Sequence, residues 1–305
     1  MEYLKILGSG SALPVVNRNP SSQVLFNQNQ FFLIDCGEGT QLSLRKHKIS
    51  FAKINHIFIS HLHGDHYFGL PGLLSSFHLL GRKKELHLYG PPALMDILNL
   101  NFKHSYTQLG YELIFHSTLG KTKKLLYEDK GITVYSFPLN HRITCHGFLF
   151  EEKPKPRKLS QTAIDKYQIP PESRKLIKLG NDYCNGEISI SNDLLTESNP
   201  SKPVSYAYCS DNRIKTILAS FLKGVTFLYH ETTFLEAEKS RAKATFHSTT
   251  KEAATLAKLL KVNLLIMGHY SARYPNTSPL LEEAKSIFEH SILGEDGLEV
   301  NFKSK

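Results

Sequence analysis

The stretch HIFISHLHGDHYFGLPGL, His56 to Leu73, decides how this chain is read. HIFIS (56–60) is short, apolar and rich in β-branched and aromatic side chains, which predicts a buried strand. His61, His63, Asp65 and His66 follow within six positions, with Gly64 easing a tight backbone between them. They therefore occupy the loop leaving the strand's C-terminal end. Imidazole and carboxylate are the ligand types that suit zinc and similar first-row metals. His61 and His63, two apart in an extended loop, point to the same side. Asp65 and His66 are adjacent, aimed differently, and suit a second ion. A single histidine here would read as a surface or core residue; four ligand-type residues together do not.

One loop cannot complete two coordination shells, so further ligands should come from the ends of other strands that a sheet gathers. His141 follows ITVYSFPL (132–139), Asp211 follows SYAYCS (205–210), and His269 follows NLLIMG (263–268). His230 and Glu231 close the VTFLY run in the same way. Each alone could be a structural histidine or a turn carboxylate, and their repeated placement is what carries information. Other runs read as strands: 2–8, 22–27, 30–36 and 86–90. Helical patterns lie between them at 39–48, 71–82, 91–99, 247–261 and 279–291. In the 247–261 helix, Ser248 or the nearby threonines can cap, with Glu252 in reach for a capping box. Strands alternating with helices predict an α/β layered fold.

The chain has 305 residues, 41% hydrophobic and 21% charged, enough apolar mass for a sizeable core. No apolar stretch has the length a membrane span needs, and MEYLKILGSG does not read as a secretory signal. Cys36, Cys145, Cys184 and Cys209 lie far apart, so reduced thiols in a cytoplasmic protein are expected. The formal net charge of +9 suits a polyanionic partner, although a basic balance also serves solubility. Residues 151–180 stand out, with four prolines and eight Lys/Arg against four Asp/Glu. They read either as a solvated loop or as a projecting basic arm that grips a polyanion. In GSGSALP (8–14), Gly8 and Gly10 follow a strand, but position 13 is Leu. This predicts a tight turn near the active site and not a nucleotide cradle.

HLHGDH (61–66) resembles the H-x-H-x-D-H signature of the metallo-β-lactamase superfamily. KILGSGSALP at the start, RNPSS (18–22), FLIDCGEGTQ (32–41), ISHLHGDHYFGLPGLLSS (59–76), SDNR (210–213), HETTF (230–234), FHST (246–249) and MGHYSARY (267–274) narrow this to a resemblance to the ribonuclease Z family, in order along nearly the whole chain. The resemblance implies a four-layered αββα sandwich, a single domain over 1–305 with an inserted flexible basic arm at 151–185 as a tRNA-binding exosite. It implies two Zn2+ per subunit. His61, His63 and His141 would hold one, Asp65, His66 and His269 the other, and Asp211 would bridge both. It also implies a homodimer and an endoribonuclease that trims the 3′ trailer from precursor tRNA. Asp65 would double as proton acceptor, while His247 and Glu231 match positions linked to proton transfer to the leaving oxygen. Asp35 and His230 are expected to orient ligands, and Arg273 could contact phosphate. Two departures stand out. The arm tip reads IPPESRKLIKLG (169–180) where the family is rich in Gly-Pro, and Asn212 stands where Thr is usual, at a position that is not a ligand.

Two other classes of function compete. One is a dinuclear zinc hydrolase of the same fold that acts on small phosphodiesters, sulfate esters or lactones, because fold does not fix substrate. A small-substrate hydrolase has no need of a basic arm. The other is a nucleic-acid-binding module with structural zinc, which a His/Asp ligand set with room for water disfavours, since structural zinc sites are usually closed and cysteine-rich.

Overall fold

Nine strands form on the apolar runs read above, and alternation along the strands sorts side chains between cores. In a computed structural model, which describes residues 1–186, 188–197 and 202–303, the strands are β1 (Tyr3–Gly8), β2 (Ser22–Asn27), β3 (Gln30–Cys36), β4 (Ile54–Phe58), β5 (Leu86–Gly90), β6 (Leu113–Ser117), β7 (Lys124–Glu128), β8 (Ile132–Leu139), β9 (Cys145–Glu152), β10 (Tyr183–Cys184), β11 (Ser189–Ile190), β12 (Ser205–Cys209), β13 (Phe227–Glu231), β14 (Leu264–Gly268), β15 (Ser291–Leu293) and β16 (Glu299–Asn301). The helices are α1 (Thr40–Lys46), α2 (Gly64–Tyr67), α3 (Leu70–Leu79), α4 (Ala93–His104), α5 (Gln161–Tyr167), α6 (Pro171–Lys178), α7 (Asn192–Leu195), α8 (Ile217–Phe221), α9 (Lys239–Thr245), α10 (Thr250–Leu260) and α11 (Ser278–Lys285).

The chain divides into two compact units, Met1–Glu151 with Val204–Lys305, and Glu152–Pro203. The larger unit holds two seven-stranded sheets, ordered β16-β1-β2-β3-β4-β5-β6 and β15-β14-β13-β12-β9-β8-β7. Along β12, Tyr206 and Tyr208 join the core between the sheets, while Ala207 and Cys209 face the other way. The inner core also takes Phe32, Phe58, Phe148 and Tyr229. A second core packs α1, α3 and α4 on the outer face of the first sheet through Leu44, Leu73, Leu74 and Leu98. A third packs α8, α10 and α11 on the second sheet through Leu218, Ala253, Ala257 and Leu280. The result is the four-layered αββα sandwich. Strands β3 to β6 run parallel, as do β12 to β15, so their carboxyl ends gather and ligand-type residues can converge there. Thr249 caps α10, and its reciprocal capping box with Glu252 is present.

The smaller unit, Glu152–Pro203, contains α5, α6, α7 and the β10–β11 hairpin. Ser160 caps α5 by accepting the Ala163 N–H. Leu159, Ala163, Ile169, Ile177, Ile190 and Leu195 form a small apolar cluster. The segment is thus more than a solvated loop. Its apolar residues are too widely spaced among charges to show as a core in the sequence. Over 152–203 the charge is nine Lys/Arg against seven Asp/Glu, a net of only +2. The two signs are segregated, however: 153–178 carries eight Lys/Arg against two acids. Arg157 pairs with Asp193 at 2.5 Å and Lys158 with Glu197 at 2.9 Å.

Away from the ligand histidines, His56 on β4 is buried and stacks on Phe32 and His87. Burial, with His87 and Lys84 adding repulsion, pushes its imidazole down to about 3 from 6.5. Between these two values the folded state binds fewer protons at His56 than the unfolded chain does. The stability it supports is therefore present above pH 6.5 and lost as pH falls towards 3. The slope from this one group approaches about 1.4 kcal/mol per pH unit. His56→Phe keeps the ring stack and removes the proton. In metal-stripped protein, urea midpoints at pH 7 and pH 4.5 should differ less for the variant than for the wild type. Equal differences in the two proteins would contradict this account.

Candidate metal centre and active site

The turn after β4 places His61 and His63, and α2 begins immediately behind them, so Asp65 and His66 sit in a helical first turn and not in a continuing loop. This turn separates the aim of the two pairs. His141 leaves the end of β8, Asp211 that of β12, and His269 that of β14, where it adopts a left-handed φ of 58°. All seven predicted ligands come together in two groups. In each, the donor atoms lie within 4.8 Å of one another: His61, His63, His141 and Asp211, and Asp65, His66 and His269.

In the first group, His63 Nδ1 lies 3.1 Å from His61 Nε2 and 3.2 Å from His141 Nε2. Asp211 Oδ2 is 3.5 Å from His61 Nε2 and 3.6 Å from His141 Nε2. In the second, His66 Nε2 and His269 Nε2 are 3.3 Å apart, and Asp65 Oδ2 lies 3.4 and 3.3 Å from them. Asp211 Oδ1 faces this group, 3.0 Å from His269 Nε2 and 3.3 Å from His66 Nε2. That buried oxygen nonetheless accepts no aligned hydrogen bond, which is what a ligand oxygen facing ligand nitrogens would show. The separations match the edges of a tetrahedron, about 3.3–3.4 Å for metal–nitrogen bonds of about 2.0–2.1 Å. The residues therefore fit a pair of metal ions, with one oxygen of Asp211 turned to each group.

The imidazoles are held from behind. His66 Nδ1 bonds Asp35 Oδ2 at 2.7 Å, and the same buried carboxylate accepts from Ser60 and from the Tyr208 hydroxyl. His269 Nδ1 meets Thr233 Oγ1 at 3.0 Å, and His141 Nδ1 donates to the Phe246 carbonyl at 3.1 Å. Each contact fixes a tautomer whose Nε2 faces the centre. Burial pushes the His61 imidazole down to about 4, and it also lowers His63 and His141. Burial would lower His66 and His269 too, but Asp65 and Asp211 outweigh it for the first, and Asp211 lifts the second to about 10. Burial would raise the Asp65 and Asp211 carboxyls, yet the facing histidines hold both below the usual carboxylate range. The acids at this site thus demand positive charge in front of them.

The open side of the centre is a cavity of about 330 Å³ whose lining includes His63, Asp65, Arg142, Asp211 and His247. His247 Nδ1 bonds Glu231 Oε1 at 3.0 Å, and its Nε2 lies 3.9 Å from Asp211 Oδ2. Glu231 is fully buried behind His247, where it also accepts from the Asn212 and Ser248 N–H groups. Against burial, Glu231 and Asp211 raise the His247 imidazole. His230 is buried outside the cavity lining and donates Nδ1–H to the Glu231 carbonyl. Arg273 is exposed and is not part of the cavity lining, whereas Arg142 is. Arg142 escaped the sequence reading, and its place directly after His141 was the available signal. The turn at 8–14 does reach the site, because Ala12, with a left-handed φ of 49°, donates its N–H to Asp65 Oδ2 at 2.7 Å.

Residues 3–152 match the family model described as Anti-Pycsar protein Apyc1. The chain is 44% identical over 297 residues to a ribonuclease Z of Bacteroides fragilis, covering 97% of both chains. Among solved structures it is similar to the human tRNase Z short form, with TM-score 0.72, 26% identity, and 99% of this chain and 100% of that chain covered. It shares its fold with the metallo-β-lactamase fold protein YhfI of Bacillus subtilis, with TM-score 0.68, 16% identity and 98% of both chains covered.

Proposed function

The chain belongs to the ribonuclease Z family, and from that premise we propose that it removes the 3′ trailer from precursor tRNA, cutting beside the discriminator base to leave a tRNA 3′-hydroxyl. The observation that carries this reading is Asp211, whose two oxygens face two separate groups of histidines across an open cavity. We assign His61, His63 and His141 to one Zn2+ and Asp65, His66 and His269 to a second, with Asp211 between them. When bound, such ions supply Lewis-acid charge at the scissile phosphate and make a water acidic enough to act at neutral pH.

The chain's own residues supply the proton traffic. Asp65, anchored by the Ala12 N–H, takes a proton from the attacking water as the new P–O bond forms. The bond from phosphorus to the 3′ oxygen breaks on the opposite side. His247 passes a proton from Nε2 to that leaving oxygen, and Glu231 acts through His247 by holding its Nδ1–H. Glu231 is thus a positioning residue. Arg142, at the cavity rim, is placed to meet a phosphate oxygen. The smaller unit, with its positive half at 153–178, serves as the arm that grips tRNA.

A homodimer and a cytoplasmic location belong to the same proposal. All four cysteines are free thiols, and no helix among the described residues is long and apolar enough to cross a membrane. The deciding experiment incubates zinc-loaded protein with a precursor tRNA bearing a 3′ trailer and maps the products to the nucleotide. A single cut after the discriminator base is expected. Turnover of a simple phosphodiester with no cut in the precursor would move the chain to the small-substrate hydrolases.

A further inference from the structure

Asn212 follows the candidate bridging residue Asp211 and is 1% exposed. Each of its hydrogen-bonding groups is engaged. Its backbone N–H donates to Glu231 Oε1 at 2.9 Å, and its carbonyl accepts the Ser248 hydroxyl. In the side chain, Oδ1 accepts the Asn140 N–H at 3.1 Å, and Nδ2 donates to His230 Nε2 at 3.4 Å. The amide can only be oriented this way. A backbone N–H needs an acceptor, and His230 spends its Nδ1–H on the Glu231 carbonyl at 2.7 Å, which leaves a lone pair on Nε2.

The neighbours reached by this one side chain are what give it a role. Asn140 precedes the candidate ligand His141, and it returns two bonds to the Asp211 segment: Arg213 N–H to the Asn140 carbonyl at 2.8 Å, and Asn140 Nδ2 to the Arg213 carbonyl at 3.0 Å. His230 and Glu231 end β13, and Glu231 holds His247. The Asn212 amide therefore ties together the segment carrying Asp211, the segment carrying His141, and the strand end behind His247. The amide reaches the two partners from two separate atoms, Oδ1 and Nδ2, whereas a hydroxyl would have to accept the Asn140 N–H and donate to the His230 ring from one oxygen.

We propose that Asn212 is a positioning residue that sets the spacing of His141 against Asp211, and through it the metal affinity and turnover of the centre. The inference rests on the metal-centre reading above. Asn212→Leu keeps the branched heavy-atom skeleton and fills the site without polar atoms, while Asn212→Ala removes the side chain. Zinc affinity, measured by competition with a chromogenic chelator, should fall about 10- to 100-fold in both variants. Turnover of precursor tRNA should fall over the same range, with KM within about twofold of wild type, because the arm that binds tRNA is untouched. Three results would overturn the role: zinc affinity within about twofold of wild type in both variants, recovery in the Leu variant of the affinity the Ala variant loses, or absence of a cooperative melt in both metal-free variants. The first would show that the clamp does not matter, the second that volume alone does, and the third that Asn212 serves folding only. Failure of the wild type itself to bind zinc or cut precursor would instead defeat the metal-centre reading.

Discussion

Replacing Asp65 with alanine should abolish precursor-tRNA cleavage, lowering kcat by at least about 10³-fold. The size follows from what this carboxylate touches. Its Oδ2 lies 3.4 Å from His66 Nε2 and 3.3 Å from His269 Nε2, and it accepts the Ala12 N–H at 2.7 Å. Alanine removes a proposed ligand of the second group and the proposed proton acceptor together, and it leaves the Ala12 N–H without its partner. The first group keeps His61, His63, His141 and Asp211. Zinc content should therefore drop from the proposed two per chain towards one, and not to none. Asp65→Asn separates the two duties. Its amide oxygen can still accept from Ala12 and face the histidines but is a poor base, so it should retain more metal than the alanine variant while remaining nearly inactive. An alanine variant that kept a tenth of the wild-type rate would remove Asp65 from the chemistry.

The sequence was most legible where one physical rule dominated. The runs 22–27, 30–36, 86–90 and 132–139 match strands residue for residue, because each is a continuous apolar segment bounded by turns. The convergence of the candidate ligands was legible because strand ends in a layered α/β fold converge, and His141, Asp211 and His269 each follow a buried run. Strands β6 and β7 escaped because both lie at sheet edges, where LIFHS is only partly buried and KLLYE is partly exposed, and the central, buried β9 (CHGFLFEE) escaped as well, its apolar stretch being short and running into acidic residues. The groups that hold the imidazoles left still less trace. Asp35 stands out as an acid closing the apolar run FFLID, but the Phe246 carbonyl behind His141 and the Ala12 N–H on Asp65 are backbone atoms, which no residue type announces. Thr233 behind His269 is one threonine among many. The smaller unit is a different case. Its first stretch, 151–185, is marked by prolines and lysines, but the unit runs on to Pro203, because Ile190 and Leu195 complete an apolar cluster begun by Leu159 and Ala163.

That boundary shapes the second large effect. Excising 151–180 would split the apolar cluster and leave Ile190 and Leu195 exposed, so any loss of activity could be blamed on misfolding. Excising 153–202 removes the unit except for its two end residues. The flanking strands tolerate this, since β9 and β12 are antiparallel neighbours with Ser205 opposite Glu151, and a short glycine-containing turn can join them as a hairpin. The shortened enzyme should hydrolyse bis(p-nitrophenyl) phosphate within about twofold of wild type, because His61 to His66, His141, Asp211, His247 and His269 all lie in the unit that remains. Cleavage of precursor tRNA should fall by on the order of 10²-fold or more in kcat/KM, carried by KM, since the phosphate contacts proposed for the arm disappear together. Salt supplies the independent check. Wild-type KM should climb steeply with salt as counterions compete for the contacts proposed for 153–178, and the shortened enzyme should show a markedly flatter slope. Pairing of Arg157 with Asp193 and of Lys158 with Glu197 takes two cations partly out of that grip, so Lys175 and Lys178 should carry more of the slope than these two. If precursor tRNA and the small phosphodiester survived the excision equally well, the arm would have no part in choosing the substrate, and selectivity would have to reside at the rim of the metal centre itself.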